Sequence, residues 1–374
     1  MHFRPRITHE TGAKGRHPLG REDRPAKELQ ILGAMVEDEI ARGVAVPAQW
    51  KVLITARSFF EGSPEPADLL QGAGVEVIAI PGDRPLTDSE LATRVGKIDG
   101  IIAGVDRIGP QTFAAAHPRL KVVARNGVGI EGIDLKAATH TGVVVTNAPG
   151  VNTDAVADLV IGLMSVLTRH ILQAHDGVRV GRWDRVLGHD LFRKTLGLVG
   201  FGKIAQAVAR RARGFEMRML AVDIIQDKHA AAGLDVRFAP LSVVIAEADF
   251  VSLHVPLTPQ THHLIGQAEL RQMKPTAYLI NTARGGVVDE HALAQALHER
   301  WIAGAAADVF EQEPPVGSPL LQAPRLLLTP HIGAHTYEAT ARGALVAVQN
   351  LLAVLNGQHA PNVVNPEVYG SPPR

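Results

Sequence analysis

Residues 195–205 read TLGLVGFGKIA, and the order of residue types in this stretch decides the architecture around it. An apolar run enters Gly200 and Gly202, and a helical pattern starts at once behind them. The first glycine permits a tight turn and the second lets a ligand approach the backbone, while the free N–H groups of the helix favour a pyrophosphate. Ala205 stands where a third glycine is usual, at a position that limits helix–strand packing rather than ligand contact. The next strand, MRMLAVD, ends at Asp223, about 20 residues beyond the glycines, the spacing at which a carboxylate meets ribose hydroxyls. That carboxylate repels a ribose phosphate, and no arginine follows at once in DIIQDK, so NAD is expected rather than NADP despite Lys228.

Outward from this turn the chain keeps one grammar. KVLIT, VEVIAI, IDGIIAG, LKVVARNG and GVVVTNAP read as strands, separated by helices at PADLLQGAG, DSELATRVGK and GPQTFAAAHPR. A second series follows, with strands at TLGLVG, EMRMLAVD, DFVSLHVPL, AYLINTA, GAAADVF and PRLLLTPHIG alternating with helices. Between the two, TDAVADLVIGLMSVLTRHILQAHDGVRVG predicts one long helix capped at Thr153, and RWDRVLGHDLFRK is irregular. Alternation of this kind indicates parallel strands with helical crossovers. We therefore expect an α/β protein with two doubly wound parallel-sheet domains. A Rossmann-type NAD domain over 148–334 is inserted in a flavodoxin-like substrate domain formed by 50–147 plus 335–374, behind a flexible extension at 1–49.

Composition bounds the function. The chain has 374 residues, more than one core usually serves, with 38 Lys plus Arg against 38 Asp plus Glu. Zero net charge gives no global field toward nucleic acid or anionic membrane. The absence of cysteine excludes thiolate nucleophiles and thiolate metal sites, so redox chemistry needs a borrowed cofactor. The first 30 residues hold no apolar leader, so a cytoplasmic location is the default. His2, His9 and His17 lack ligand spacing, and no metal is expected.

The chemistry concentrates at strand exits. AYLINTARGGVVDE at 277–290 carries Arg284 to the usual ligand edge of such a sheet, where its planar fork matches a carboxylate. Gly285 and Gly286 let the backbone turn beside it. HVPLTPQT brings His254 and Thr261 to a similar edge, either toward cofactor or as loop caps. ADVFEQEPP supplies Glu311 and Glu313, and LTPHIGAHT supplies His331 and His335. Hydride exchange at a hydroxyl carbon needs one proton moved at its oxygen, and imidazole held by a carboxylate suits that task. Spacing alone leaves both glutamates and both histidines open.

The ordered series GLVGFGKIA, HVPLTPQTHHLI, NTARGGVVDE, DVFEQEPP and TPHIGAHT closely resembles the D-isomer-specific 2-hydroxyacid dehydrogenase family, including its phosphoglycerate dehydrogenase branch, over about residues 50–365. The resemblance implies that Arg284 binds substrate, His331 is the acid/base and Glu313 its acidic partner. It further implies pyrophosphate binding by Lys203 and Ile204 beside Gly200 and Gly202, and ribose binding by Asp223. Thr282, Ala283 and Arg284, with His331, Gly333 and Ala334, fall on the nicotinamide side, and Asp308 at the carboxamide. ARNGVGIEGIDL resembles the loop whose N–H groups around Val128 and Gly129 receive the substrate carboxylate. Asp158 in VAD departs from the family's glutamate, and NAPGVNT reads as the hinge. Arg57 or Arg107 would serve a phosphorylated substrate such as 3-phosphoglycerate, whereas Phe59 and Phe60 would suit an apolar tail. A homodimer is implied by the family and suits the long apolar helix. The rival readings are an NAD-sensing corepressor-like protein and an oxidoreductase for another small acid, such as formate or phosphite.

Overall fold

The computed structural model describes residues 49–80 and 84–370. Apart from Gln49, the extension expected over 1–49, with its three histidines, lies outside the described residues. The first series forms β1 (Trp50–Ile54), α1 (Glu65–Gly72), β2 (Val75–Ala79), α2 (Asp88–Ala92), β3 (Gly100–Ala103), α3 (Pro110–Ala116), β4 (Val122–Arg125), α4 (Leu135–His140) and β5 (Val144–Thr146). Its five strands pair in parallel in the order β2-β1-β3-β4-β5, the flavodoxin-like winding.

The chain then runs through α5 (Thr153–Thr168), α6 (Ile171–Arg179), β6 (Thr195–Val199), α7 (Lys203–Ala212), β7 (Arg218–Val222), α8 (Lys228–Leu234), β8 (Val236–Phe238) and α9 (Leu241–Glu247). It continues as β9 (Phe250–Leu253), α10 (Gln267–Gln272), β10 (Tyr278–Asn281), α11 (Glu290–His298), β11 (Gly304–Ala307), β12 (Leu326–Leu328) and α12 (Tyr337–Leu355). The second sheet is ordered β12-β11-β10-β9-β6-β7-β8, a Rossmann winding with one further strand. β6, β9, β10 and β11 are buried throughout, as central strands covered by helices on both faces must be.

The last helix returns to the first sheet. Ala344, Ala347, Val348 and Leu351 of α12 pack into one core with Val52, Ile54 and Val122. Full burial of side chains such as Val348 and Leu351 contributes about 1.5–3 kcal/mol each, so α12 is integral to a sheet begun near the start of the chain. The nucleotide sheet is thereby an insertion in the other.

The single long helix expected after Thr153 is two helices, bent by 61°. The break is at His170, whose φ of 52° is left-handed. The carbonyl of Thr168 accepts the His189 N–H at 2.9 Å, so a later segment satisfies the helix end from outside. The expected helix over DSELATRVGK is shorter, ending at Ala92. There Thr93 Oγ1 and Arg94 Nη1 donate to the Glu90 carbonyl at 2.8 and 2.6 Å, competing with its helical partner.

Candidate active site

The carboxyl ends of the parallel strands converge on one edge. Gly200 follows β6 with φ of 91°, a conformation that favours glycine; a methyl group there would meet the His254 carbonyl at 2.8 Å. Gly202 precedes α7 with open space above it, and Lys203 and Ile204 form the first turn of that helix. Asp223, just past β7, accepts from the N–H groups of Phe201 at 2.6 Å and Ile225 at 2.8 Å. Each carboxylate oxygen therefore keeps lone-pair capacity for ribose hydroxyls.

At the exit of β10, the Asn281 side chain donates to the Arg284 carbonyl at 3.0 Å and accepts from the Ala283 N–H at 3.1 Å, closing a tight loop. Thr282 Oγ1 is buried without a hydrogen-bond partner, a polar atom that a bound ligand would satisfy. Gly285 packs so closely on Phe310 that an added Cβ would fall 1.8 Å from its carbonyl carbon. That contact holds the Arg284 loop against the segment carrying Glu313. These features suit a dinucleotide: a glycine turn under a helix N-terminus, a carboxylate at the next strand's end and an orphaned hydroxyl at another strand exit.

His331 Nδ1 lies 2.8 Å from Glu313 Oε2, leaving Nε2 for a substrate oxygen. The Phe310 N–H donates to the other oxygen of Glu313 at 3.2 Å. The hydrogen bond to Glu313 is the largest influence on His331 and, against burial, raises its pKa above 6.5. Burial pushes Glu313 upward, but its bond to His331, that ring's charge and the Phe310 N–H hold it below the usual glutamate value. Arg284 is close enough for its charge to act on both groups. Any step in which His331 gives up its proton needs the charged ring, so the rate of such a step is expected to fall as pH rises through the raised His331 pKa. Glu313→Gln removes the main cause of that elevation and should move the falling limb of the kcat–pH profile to lower pH. An unmoved limb would assign the titration to another group.

Asp308 builds the loop that presents His331. Its carboxylate accepts from Thr329 Oγ1 at 2.6 Å and from the N–H groups of Ile332 and Gly333 at 2.8 Å each. Its carbonyl accepts the His331 N–H at 2.8 Å, sustaining the left-handed φ of 54° at His331. Gly333 is buried beside Asp308, and Ala334 follows it on the exposed side.

Geometry separates the remaining candidates. Glu311 bonds His263 Nε2 at 2.9 Å, and His335 faces Glu61 at 3.7 Å, so neither belongs to the His331 pair. Thr261 Oγ1 donates to the Pro256 carbonyl at 2.6 Å, capping its own loop. His254 bonds Ser252 Oγ at 2.9 Å, and burial pushes its imidazole down to about 3, so it is neutral. Asp158 takes Arg211 Nε at 2.5 Å, beside Asp154 on the same guanidinium. Its shorter side chain thus serves an ion pair between α5 and α7.

Two charged residues were missed by the sequence reading. Glu131 accepts from Arg284 Nε at 2.8 Å across the two sheets. Burial raises the Glu131 carboxyl, and its own N–H, Arg284 and Arg125 outweigh it to hold the group ionised. Arg125 Nε donates to the Gly129 carbonyl at 2.9 Å, and a methyl group on Gly129 would lie 2.8 Å from Arg284 Nη2. The substrate-domain loop and the guanidinium are therefore direct neighbours. The glycine-rich spacing of ARNGVGIEGIDL, with Arg125 and Glu131 among its glycines, was the available signal.

Two nucleotide-type windings, one with a pyrophosphate turn and both opening onto a His–Glu pair and an arginine, define the class as dinucleotide-dependent oxidoreductases for small carboxylates. The model of the D-isomer specific 2-hydroxyacid dehydrogenase NAD-binding domain matches residues 161–333. The glyoxylate reductase of Korarchaeum cryptofilum is 44% identical over 294 residues, covering 76% of this chain and 88% of that protein. A solved protein from Thermus thermophilus is 41% identical with a TM-score of 0.77, covering 84% of this chain and 99% of that one. The apo D-lactate dehydrogenase of Escherichia coli is 30% identical with a TM-score of 0.75, at 84% and 99% coverage. The chain belongs to the D-isomer specific 2-hydroxyacid dehydrogenase family. It is an NAD-dependent oxidoreductase of the class that interconverts D-2-hydroxy acids and 2-keto acids.

Proposed function

We propose that this chain reduces a short 2-keto acid to the D-2-hydroxy acid with NADH, glyoxylate being the first substrate to test. The observation that carries the reading is the 2.8 Å bond from His331 Nδ1 to Glu313, which directs Nε2 to the substrate beside Arg284. Relatives such as the Korarchaeum cryptofilum protein bear the name glyoxylate reductase. Arg57 and Arg107, the candidates for a phosphorylated tail, are both exposed, while Arg125 and Arg284 are engaged by the Gly129 carbonyl and Glu131. This favours a small acid with one negative charge over 3-phosphoglycerate.

Lys203 and Ile204 would hold the pyrophosphate of NAD, Asp223 its ribose, and Thr282, Ala283, Arg284 and Asp308 the nicotinamide side. Bound NAD supplies the hydride chemistry. In reduction, Arg284 and the N–H groups of Val128 and Gly129 hold the carboxylate while protonated His331 gives its Nε2 proton to the carbonyl oxygen. In oxidation, neutral His331 takes the hydroxyl proton. Glu313 stabilises the charged ring in both directions, and closure of the two sheets excludes water from the reacting atoms.

The test is NADH oxidation with glyoxylate, larger 2-keto acids and phosphohydroxypyruvate. Glyoxylate should give the highest kcat/KM; a preference for phosphohydroxypyruvate would overturn the small-acid reading. NADH binding with no turnover on any of them would favour a nucleotide-sensing protein.

The same reading assigns a homodimer. The segment after α6 displays Val180, Trp183 and Leu187 at 70, 76 and 92% exposure, an apolar surface that soluble monomers seldom leave open. A groove of about 280 Å³, lined by Leu167, Leu172 and Leu327 among others, lies on the same domain, so two copies can meet through like surfaces. Trp183→Asp with Leu187→Asp should halve the mass measured by light scattering. An unchanged mass would remove this segment from the interface.

A further inference from the structure

Among the described residues, the N–H groups of Val128 and Gly129 have no acceptor within the chain. Their direction is set by side chains behind them. Asn147 Nδ2 donates to the Val128 carbonyl at 2.9 Å. In a trans peptide the carbonyl and the following N–H point in opposite directions, so a Val128 carbonyl held toward Asn147 turns the Gly129 N–H away from it. Arg125 Nε holds the next carbonyl, that of Gly129, at 2.9 Å, fixing the following peptide plane as well. Gly129 itself adjoins Arg284 Nη2.

Asn147 is anchored in turn. Its N–H donates to the Asn362 carbonyl at 3.1 Å, and its carbonyl accepts from Asn350 Nδ2 at 3.0 Å. Asn350 is buried on α12 and accepts from Asn362 Nδ2 at 3.2 Å. A short chain of asparagines therefore runs from α12 to the loop, passing through the residue at which the chain leaves the first sheet for the second. Such a connection has no purpose in binding the dinucleotide, whose turn lies on the other sheet.

We propose that Asn147 is a positioning residue for the substrate carboxylate: its amide presets the Val128–Gly129 peptide so that the Gly129 N–H is presented together with Arg284. The proposal rests on the reading in which Val128 and Gly129 receive that carboxylate. Asn147 touches neither substrate nor cofactor; it removes the cost of ordering the loop when substrate arrives.

The experiment uses the full-length chain with Asn147→Leu, which keeps the volume and removes the donor, and Asn147→Ser, which is polar but too short to reach. Three readouts are taken: the KM–kcat split for glyoxylate, NADH affinity by fluorescence, and amide hydrogen exchange at Val128 and Gly129 in the NADH complex with and without oxamate, an unreactive 2-amido carboxylate. We expect KM to rise about tenfold, the equivalent of one misdirected hydrogen bond to a charged group. NADH affinity and kcat should stay within twofold, and oxamate protection of the two amides should be lost. The Ser variant keeps the test intact if the Leu variant does not fold. Unchanged KM with protection retained in the variants overturns the role of Asn147 and leaves the carboxylate site standing. Absence of oxamate protection in the parent chain overturns the carboxylate site itself, and the proposal with it.

Discussion

His331→Asn is expected to lower keto-acid turnover by about 10²–10⁴-fold, the usual worth of a positioned general acid, with NADH affinity unchanged. Asparagine is the informative replacement because the backbone at this residue has φ of 54°, a region asparagine tolerates better than most side chains. Its amide can also stay near Glu313 without relaying a proton. The Asp308 bonds that shape the loop arise from residues 329, 332 and 333 and survive the change. Loss of kcat with an intact fold then isolates proton transfer; wild-type turnover would remove His331 from that role. The measurement is steady-state NADH oxidation beside a fluorescence titration of the cofactor.

The second large effect is at Arg284. Two parallel hydrogen bonds to a carboxylate contribute about 1.5–3 kcal/mol each, so Arg284→Ala should lower kcat/KM by roughly 10²–10⁴-fold. Arg284→Lys should recover only a fraction, because a point charge cannot reproduce the planar fork. Glu131 enlarges the loss. With its partner at 2.8 Å gone, that carboxylate faces the substrate's carboxylate with only the charge of Arg125 to offset it. Adding Glu131→Gln to Arg284→Ala should therefore restore part of the kcat/KM. Equal kcat/KM in the single and double variants would show that Glu131 does not act on the site, and an Arg284→Ala enzyme with near-normal KM would remove the guanidinium from substrate binding.

What could be read beforehand was what neighbours in sequence impose. The strand, two glycines and helix at 195–205, followed by Asp223, are local, and they identified the nucleotide sheet and its ligand edge. The bend at His170 was not local: apolar residues continue through it, and the N–H that satisfies Thr168 comes from His189. Spacing could not separate Glu313 from Glu311 either. The folded chain separates them by giving Glu311 to His263. Glu131 and Asn147 escaped notice because their significance lies in contacts with Arg284 and with a carbonyl of another loop. Such contacts come from the docking of two sheets, which hydrophobic periodicity does not encode. Short elements such as β8 and α9 were also overlooked, since a few apolar residues carry no decisive period.

The return of α12 has a consequence for biosynthesis. Its core partners in β4 and β1 leave the ribosome about 200 and about 300 residues earlier, a delay of roughly 10–60 s at ordinary elongation rates. Throughout that interval one face of the first-made sheet is covered by α1 alone, while the nucleotide sheet, uninterrupted in the chain, completes itself. The sheet begun first thus finishes folding last. Nascent chains stalled before Tyr337 should accordingly present an apolar sheet face to chaperones, whereas released full-length chains should not.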